Sequence, residues 1–304
     1  MLHRVFITGA TGYLGSAIAA RLRRAGHEVA GLTRDPARAD ALAAHGITPV
    51  AGDLADPGSF LAVLKNCDVA IHAAIEPGPK ADERDQRALE AIRAAASDGR
   101  LRRVLYTSGV WVHGDTAGQV VDETGALHPA GRATWRAAHE EVVLDLAEQE
   151  VEAVILRPGI VYGEARGIVG GMFAEAAKRG TVSIPGEGVQ TWCIVHRDDV
   201  AEAYALALEH ARAGERFLVV DESVFTARQI GEAIAAASGA TAQLWPAEDV
   251  RRQFGADGEA RLMSQRATAA KARRDLGWVP RHTSFVNEAR DLWREWQSQQ
   301  ASVA

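Results

Sequence analysis

The chain has 304 residues, 47% hydrophobic and 24% charged, which is the composition of a globular protein with one large domain or a large and a small one. A net charge of −6 offers no basic face for nucleic acid, and no apolar run approaches the roughly 20 residues of a membrane span. Cys67 and Cys193 show no metal-ligand spacing, so we expect no metal site and a reducing cytoplasm. We also expect no signal peptide, because a strand pattern begins within a few residues of Met1.

The first half of the chain alternates short apolar runs with amphipathic stretches. Helical patterns occupy 14–26 and 83–99, and Val-, Ile- and Leu-rich strand patterns occupy 4–10, 28–33, 48–53, 69–74, 103–108 and 152–158. Strands of continuous apolar character are covered on both faces, and strand–helix–strand alternation gives right-handed crossovers. The sequence therefore predicts an α/β fold of the Rossmann type, with a doubly wound parallel sheet.

The pattern changes after about residue 165, where turns and short extended segments lead to a strand at 216–220, a helix at 226–238 and a basic helical tail. We predict a dinucleotide-binding domain over 1–165, to which 190–220 returns. We predict a smaller C-terminal substrate-binding lobe made of 166–189 and 221–304.

The stretch "TGATGYLG" (8–15) lies between the first strand and the first helix and spaces its glycines as G-x-x-G-x-x-G. Glycines allow a tight turn and a close approach to a pyrophosphate at the helix N-terminus. The alternative is a tight turn without a ligand, which is the weaker interpretation because a strand and a helix flank the loop. The predicted cofactor contacts here are Gly9, Thr11, Gly12, Tyr13, Leu14 and Gly15.

The end of the second strand indicates which cofactor is bound. Arg34 follows this strand, with Arg38 one turn later, and an arginine here pairs with a 2′-phosphate. These residues favour NADP(H) over NAD(H). The alternative is that Arg34 is a solvated loop residue and Asp35 binds the ribose.

The third strand ends in "GDLAD" (52–56), where Asp53, followed by Leu54, can accept a hydrogen bond from an adenine amino group. Asp53 can equally cap the helix that begins near Pro57. Both interpretations stay open from the sequence.

Seven segments together resemble the extended short-chain dehydrogenase/reductase family, which includes the NAD-dependent epimerase/dehydratase proteins. They are "TGATGYLG", "GDL", "HAA" (72–74), "YTSG" (106–109), "LRPGIVYG" (156–163), "IVHRDDVAEA" (194–203) and "KARRDLGWVP" (271–280). The resemblance covers almost the whole chain and implies a dinucleotide across the C-terminal edge of the sheet, with further contacts from Ala73, Ala74, Thr107, Pro158 and Gly159. It also implies a small-molecule substrate and a homodimer formed through two helices of the main domain, although the alanine-rich stretches 88–96 and 137–147 could equally face the core.

The family performs its chemistry with a Ser or Thr after the fifth strand and a Tyr-x-x-x-Lys pair on the next helix. That helix begins here near residue 131, yet no tyrosine falls between 107 and 161 and no lysine between 81 and 177. The pair is replaced by Arg132 and Arg136, or, in another register, by Ala133 and Ala137. We prefer the first register, in which Arg136 keeps the ribose contact of the lysine but cannot serve as a base.

Three residues are the candidate catalytic groups, Ser108, His113 and Tyr162. Ser108 lies one position before Gly109, which stands where the family places its hydroxyl. His113 and the weaker candidate His139 are considered because histidine as a residue type can act as an acid or a base near neutral pH, but each also suits a structural role. Tyr162 follows the sixth strand close to the expected nicotinamide end.

Two further features have both a functional and a structural interpretation. Trp111, Trp135 and Trp192 would line an apolar pocket or serve ordinary packing. Asp198 or Asp199 would cap a helix that starts at Val200.

We therefore expect an NADP(H)-binding enzyme that reduces, oxidises, epimerises or dehydrates a small carbonyl or hydroxyl compound with a non-standard acid/base group. The alternatives are a dinucleotide-binding sensor or scaffold without turnover, and a non-redox isomerase or cyclase on the same fold.

Overall fold

The computed structural model describes residues 1–76, 78, 80–131 and 133–303. Its strands are β1 (Arg4–Thr8), β2 (Glu28–Thr33), β3 (Thr48–Ala51), β4 (Val69–His72), β5 (Arg103–Thr107), β6 (Val120–Val121), β7 (Glu152–Pro158), β8 (Ile160–Tyr162), β9 (Thr181–Pro185), β10 (Thr191–Trp192), β11 (Ile194–His196), β12 (Arg216–Val219), β13 (Phe225–Thr226), β14 (Thr241–Trp245) and β15 (Arg266–Ala267). Its helices are α1 (Tyr13–Arg24), α2 (Pro36–Ala44), α3 (Gly58–Leu64), α4 (Ala81–Asp98), α5 (Ala133–Leu144), α6 (Gly167–Arg179), α7 (Arg197–His210), α8 (Ala227–Ser238), α9 (Ala247–Phe254), α10 (Ala256–Leu262), α11 (Ala270–Leu276) and α12 (Phe285–Val303).

Seven parallel strands form the central sheet in the order β12-β7-β5-β4-β1-β2-β3. The chain starts in the middle at β1, moves to one edge through β2 and β3, and then reverses through β4 to the other edge. This reversal places a crevice at the carboxyl ends of β1 and β4, where open α/β sheets bind ligands. The predicted Rossmann-type α/β fold is confirmed.

Helices cover both faces of the sheet because its strands alternate apolar side chains between two cores. Val5 and Ile7 of β1 belong to the core under α1, α7 and α11, whereas Phe6 belongs to the core under α3, α4 and α5. The alanine-rich face of α4 is buried in this second core.

A third core lies in the C-terminal half, between α6, α8 and α12 and the small pairs β8–β11 and β9–β14. From this half, β12 returns to the main sheet and pairs with β7 through Phe217 and Leu156. The predicted division into domains stays a prediction.

The N-terminus of α7 differs from the sequence prediction. The helix begins at Arg197 rather than Val200, and the His196 Nδ1 accepts a hydrogen bond from the Asp198 backbone N–H (3.2 Å). Asp199 instead accepts from the backbone N–H groups of Arg281 and His282 at 2.9 and 3.0 Å. A capping role for Asp198 or Asp199 was therefore wrong, because the ring of the preceding histidine takes it. Among the described residues, no helix combines the length and apolar character needed to span a bilayer.

Candidate functional site

The glycine loop before α1 is shaped by close contacts between backbone segments. Gly9 has a φ of +73°, and a Cβ there would lie 2.7 Å from the Ala74 Cα. The Gly12 N–H donates to the Gly9 carbonyl oxygen (2.7 Å), and Gly12 is the N-cap of α1. No described side chain caps this helix, so its first N–H groups are available to an anion. The loop is a cradle that fits a pyrophosphate.

The cleft above the loop has a volume of about 390 Å³ and collects most of the predicted cofactor contacts. Its lining includes Gly9, Thr11, Gly12, Tyr13, Leu14, Arg34, Leu54, Ala73, Ala74, Thr107 and Arg136. Gly15 supports the loop from behind, because a Cβ there would overlap the Gly9 carbonyl oxygen. A dinucleotide fits this arrangement, which consists of the glycine loop, the N-terminus of α1 without a side-chain cap, and the cleft above them.

Arg34 lines this cleft at the end of β2, in the part where the sequence predicts the adenosine of the cofactor and which is named the adenosine end. Its guanidinium pairs with Glu76, and the Asp53 carboxylate is 3.8 Å away. Asp35 is the N-cap of α2 and accepts from the Ala37 N–H (3.0 Å), so this carboxylate is already bonded. The Arg34 side chain is 54% exposed, whereas that of Glu76 is 15% exposed and also pairs with Arg84.

Asp53 stabilises a turn at the edge of the cleft. Its Oδ1 accepts from the Ala55 N–H (2.8 Å), and its own N–H donates to the Ser59 Oγ (3.1 Å). Helix α3 begins at Gly58 with Pro57 as its N-cap, so Asp53 caps the turn and not the helix.

A second cavity of about 240 Å³ adjoins the cleft at the carboxyl ends of β5 and β7. The two spaces share Tyr13, Leu14, Ile75, Thr107 and Arg136. The rest of the cavity is mostly apolar and is lined by Ser108, Gly109, Val110, Trp111, Ala133, Pro158, Gly159, Ile160, Val161, Gly167 and Ile168. The predicted nicotinamide contacts Pro158 and Gly159 therefore line this cavity.

Ser108 brings a hydroxyl to this apolar cavity. The residue is buried, and its Oγ has no hydrogen-bond partner among the described residues. Its neighbour Thr107 bonds through Oγ1 to the Tyr204 hydroxyl (2.5 Å). A buried hydroxyl normally has a partner, so Ser108 is available to a ligand in the cavity.

Arg136 lies where the cleft meets the cavity. Its Nη1 donates to the Thr107 carbonyl oxygen, and its guanidinium lies over the Trp135 ring, 4.8 Å from the centroid. The residue is 7% exposed. Arg136 is the residue that the preferred register puts in place of the family's lysine, and this assignment stays a prediction. Arg132, the other member of that pair, lies outside the described residues.

Tyr13 and Arg197 hold the start of α1 in place. The Tyr13 hydroxyl donates to the Gly163 carbonyl oxygen (2.5 Å), and burial raises its pKa above the ordinary value. Arg197 donates to the Tyr13 carbonyl oxygen (2.7 Å) and the Ser16 Oγ (2.9 Å), and it pairs with Glu164. Tyr13 lines both spaces, but its hydroxyl is already bonded to the backbone.

His113 is buried behind the cavity and does not contribute to its lining. Its Nε2 lies 3.1 Å from the Arg157 Nη1, and Arg157 forms a two-pronged pair with Glu140 at 3.0 and 2.6 Å. Burial, followed by the Arg157 charge, lowers the pKa of His113 to about 4. The imidazole is therefore neutral near pH 7.

Tyr162 is also fully buried outside the cavity lining. Its ring contacts His196 and Phe285 edge-on, with centroids 5.2 Å apart in each case. Its hydroxyl has no hydrogen-bond partner among the described residues. Burial, followed by the Asp221 carboxylate, raises the pKa of Tyr162.

His139 belongs to a buried network around Asp85. The Asp85 carboxylate contacts the His72 Nε2 (2.9 Å), the His139 Nδ1 (2.7 Å) and the Tyr106 hydroxyl (2.8 Å). Burial opposes ionisation, but the two histidines outweigh it and hold the pKa of Asp85 below its usual range. The network extends to the Thr8 Oγ1, 2.6 Å from the His72 Nδ1, and joins β1, β4, β5, α4 and α5.

The three tryptophans have different places. Trp111 lines the apolar cavity, and Trp135 lines a neighbouring cleft with Phe254. Trp192 is buried in the third core, where its Nε1 donates to the Arg261 carbonyl oxygen (3.1 Å).

Glu76, Asp85 and Arg197 were not selected from the sequence. Asp85 could have been found, because a carboxylate on the same helical face as Ala88, Leu89 and Ile92 interrupts an apolar stripe. Glu76 and Arg197 gave no such signal, since their partners are distant in sequence.

Comparison with known proteins agrees with this geometry. The model of the NAD dependent epimerase/dehydratase family matches residues 5–220. An uncharacterised protein of Schizosaccharomyces pombe is 30% identical over 94% of this chain and 97% of its own length. A 2-alkyl-3-oxoalkanoate reductase of Stenotrophomonas maltophilia is 26% identical over 91% of this chain and 94% of its own length. The solved dTDP-glucose 4,6-dehydratase DesIV of Streptomyces venezuelae, described with NAD bound, has the same fold (TM-score 0.85, 21% identity, 98% of both chains).

The fold and the cleft define an NAD(P)-dependent enzyme of the oxidoreductase, epimerase and dehydratase class. The chain belongs to the NAD dependent epimerase/dehydratase family. The predicted family resemblance is confirmed.

Proposed function

We propose that this protein is an NADP(H)-dependent reductase of a small, mainly apolar carbonyl compound. The observation that carries the proposal is the continuity of the two spaces: the dinucleotide cleft opens into an apolar cavity in which the Ser108 hydroxyl is buried and unpartnered. The similarity to a 2-alkyl-3-oxoalkanoate reductase supports a carbonyl substrate with an apolar body.

Arg34 supports the preference for NADP(H). A guanidinium at the end of β2 suits a 2′-phosphate, and Asp35, the competing acidic residue, is already bonded as the cap of α2. Arg38 lines the same cleft and adds positive charge. Glu76 opposes this preference, because it pairs with Arg34 and would repel a phosphate.

In the proposed reaction Pro158 and Gly159 would contact the nicotinamide ring, which would supply the hydride that the carbonyl carbon accepts. Ser108 donates a hydrogen bond to the carbonyl oxygen, transfers its proton to that oxygen as the alcohol forms, and regains a proton from water. The apolar lining excludes other water from the reacting bond. Tyr13 does not fill this role, because its hydroxyl is bonded to Gly163.

The predicted catalytic roles of His113 and Tyr162 stay predictions, and we propose that both act by supporting the cavity. We propose also that 190–220 belongs to the dinucleotide-binding domain, since β12 completes its sheet. The homodimer stays a prediction.

The test measures reduction of a panel of apolar ketones and aldehydes by NADPH, with Ser108→Ala and the exposed Ser298→Ala as a matched control. We expect Ser108→Ala to lower kcat/KM at least about 100-fold while the Kd for NADPH is unchanged, because the hydrogen bond to the developing oxyanion and the proton donor are both lost. His113→Ala and Tyr162→Phe belong in the same assay. NADPH binding without turnover on any substrate would favour the sensor, and turnover unaffected in Ser108→Ala would refute the role of Ser108.

A further inference from the structure

Arg136 is a buried cation at the cavity without a carboxylate partner. Among the described residues, no carboxylate oxygen lies within ion-pair distance of its guanidinium, although the residue is only 7% exposed. Its hydrogen bond to the described part of the chain runs to the Thr107 carbonyl oxygen. Burying a charged group without an opposite charge is unfavourable, so this guanidinium is prepared for an anion.

The nearby acidic groups are already bonded to other residues. The charge of Arg136 acts on Asp85, but that carboxylate is fully bonded to His72, His139 and Tyr106. Glu140 on the same helix pairs with Arg157. None of the residues lining the cavity is acidic, so an anion there meets no repulsion from the walls.

The other residues that line the cavity restrict the part of the ligand that Arg136 does not bind. Apart from Ser108, Thr107, Tyr13 and Arg136, the walls carry apolar side chains or glycine, and Trp111 supplies a flat aromatic surface. Such walls favour a hydrocarbon body. The hydroxyl of Ser108 provides one polar contact and the guanidinium provides the charged one.

We propose that the substrate is an oxo acid: an apolar ketone whose carboxylate is bound by Arg136 and whose carbonyl oxygen faces Ser108. This inference rests on the proposed reductase function and adds the substrate class. The guanidinium suits a carboxylate because its planar N–H groups form two parallel, charge-assisted hydrogen bonds. The carboxylate is unchanged in the reaction; the hydride adds to the ketone carbon, and the ketone oxygen takes the proton from Ser108.

The competing explanation is that Arg136 serves the cofactor alone, since it also lines the dinucleotide cleft. The two explanations differ in what the charge recognises. An oxo-acid site discriminates an acid from a neutral compound of the same shape, whereas a cofactor contact changes the affinity for NADPH.

The first test therefore uses binding without turnover. Calorimetry on the protein saturated with NADPH compares octanoate with octanamide, which has the same chain and no charge. We expect octanoate to bind at least about tenfold more tightly. Equal binding of the two probes by the unaltered protein would overturn the inference, even if no variant of Arg136 folds.

The second test asks whether Arg136 causes the preference for octanoate over octanamide. Arg136→Met keeps a long apolar side chain and should remove the preference for octanoate while the Kd for NADPH changes less than about threefold. Arg136→Lys should retain part of it, and the exposed Arg290→Met, which lies outside the cavity lining, should retain all of it. A preference that survives Arg136→Met, or a loss of NADPH binding alone, would contradict the proposal.

Turnover separates this inference from the proposed function. If 2-oxooctanoate is reduced and its methyl ester is reduced much more slowly, both the reductase function and the oxo-acid substrate are supported. Equal reduction of acid and ester would keep the reductase and reject the oxo acid. No reduction of any carbonyl compound, with octanoate still preferred over octanamide, would reject the reductase and keep the anion site.

Discussion

Two parts of the site are built in different ways: the predicted phosphate end, which is the glycine loop at Gly9 and Gly12, and the predicted reacting end, which is the cavity lined by Ser108 and Arg136. At the phosphate end, backbone atoms of Gly9 and Gly12 form the surface, and the requirement for glycine is set by steric contact. At the reacting end, side chains form most of the surface. Its polar residues are Ser108, Arg136, Thr107 and Tyr13, and the sequence of the following helix has no tyrosine–lysine pair. A site formed by backbone atoms allows few substitutions, because any new side chain changes the surface. A site formed by side chains can change its chemistry by substitution while the fold stays the same.

The largest effect is expected from Gly9→Ala. The new Cβ would lie 2.7 Å from the Ala74 Cα, and the φ of +73° is unfavourable for alanine, so the loop must shift. We expect the affinity for NADPH to fall more than about 100-fold, because a rigid backbone cradle cannot adjust. Calorimetry measures this change.

Gly171→Ala in α6 is the matched control. A Cβ at this position meets no atom within 4 Å, so NADPH binding should be unchanged. If Gly9→Ala folded and bound NADPH normally, the contact with Ala74 would not be what requires glycine at position 9.

A smaller effect is expected behind the reacting end, from His113→Gln. The pKa of His113 is lowered from 6.5 to about 4, so the unfolded chain takes up a proton between these pH values and the folded protein does not. The free energy of unfolding therefore decreases as the pH falls through this window, by up to about 3 kcal/mol from this residue. Glutamine does not titrate, so His113→Gln should remove the contribution of this residue to the loss of stability at low pH.

Urea unfolding at about pH 7 and about pH 4.5 measures how much free energy of unfolding each protein loses between the two pH values. The difference between the loss in the unaltered protein and the loss in His113→Gln is the contribution of His113. His45→Gln, at an exposed histidine on the surface, serves as the control. An identical loss of stability in His113→Gln and the unaltered protein would show that His113 is not buried in its neutral form.

The smallest effect is expected at the adenosine end, from Glu76→Gln. Removing this carboxylate frees Arg34 for a phosphate and removes a repulsion, so NADPH should bind about five- to tenfold more tightly, or about 1 kcal/mol. The affinity for NADH should be unchanged, since it carries no 2′-phosphate. Glu83→Gln, which loses only an exposed pair with Arg87, is the control. An equal gain for both cofactors would contradict the role given to Glu76.

Local patterns in the sequence predicted the frame of the molecule well. The strands at 28–33 and 152–158 have the predicted bounds, and the helix predicted at 83–99 is α4. These elements follow from apolar periodicity within a single segment. The glycine spacing likewise predicted the tight loop before α1, because a strand, a turn and a helix are consecutive in the chain. The pyrophosphate contact of this loop stays a prediction.

The reacting end could not be predicted in the same way. Its polar groups come from segments far apart in sequence: Arg136 of α5 bonds to the Thr107 carbonyl oxygen at the end of β5, and the Thr107 Oγ1 bonds to Tyr204 of α7. The sequence did indicate that a histidine follows β5, but it could not show that Arg157 and Glu140 hold this ring outside the cavity lining. Partners chosen by tertiary packing leave no periodic signal.

The cofactor preference is tested most directly by a calorimetric titration with NADPH and NADH on the unaltered protein and on Arg34→Ala. We expect NADPH to bind at least about tenfold more tightly than NADH, because the guanidinium pairs with the 2′-phosphate. Arg34→Ala should abolish this preference and leave NADH binding unchanged. Equal or tighter binding of NADH to the unaltered protein, or a preference for NADPH that survives in Arg34→Ala, would contradict this expectation.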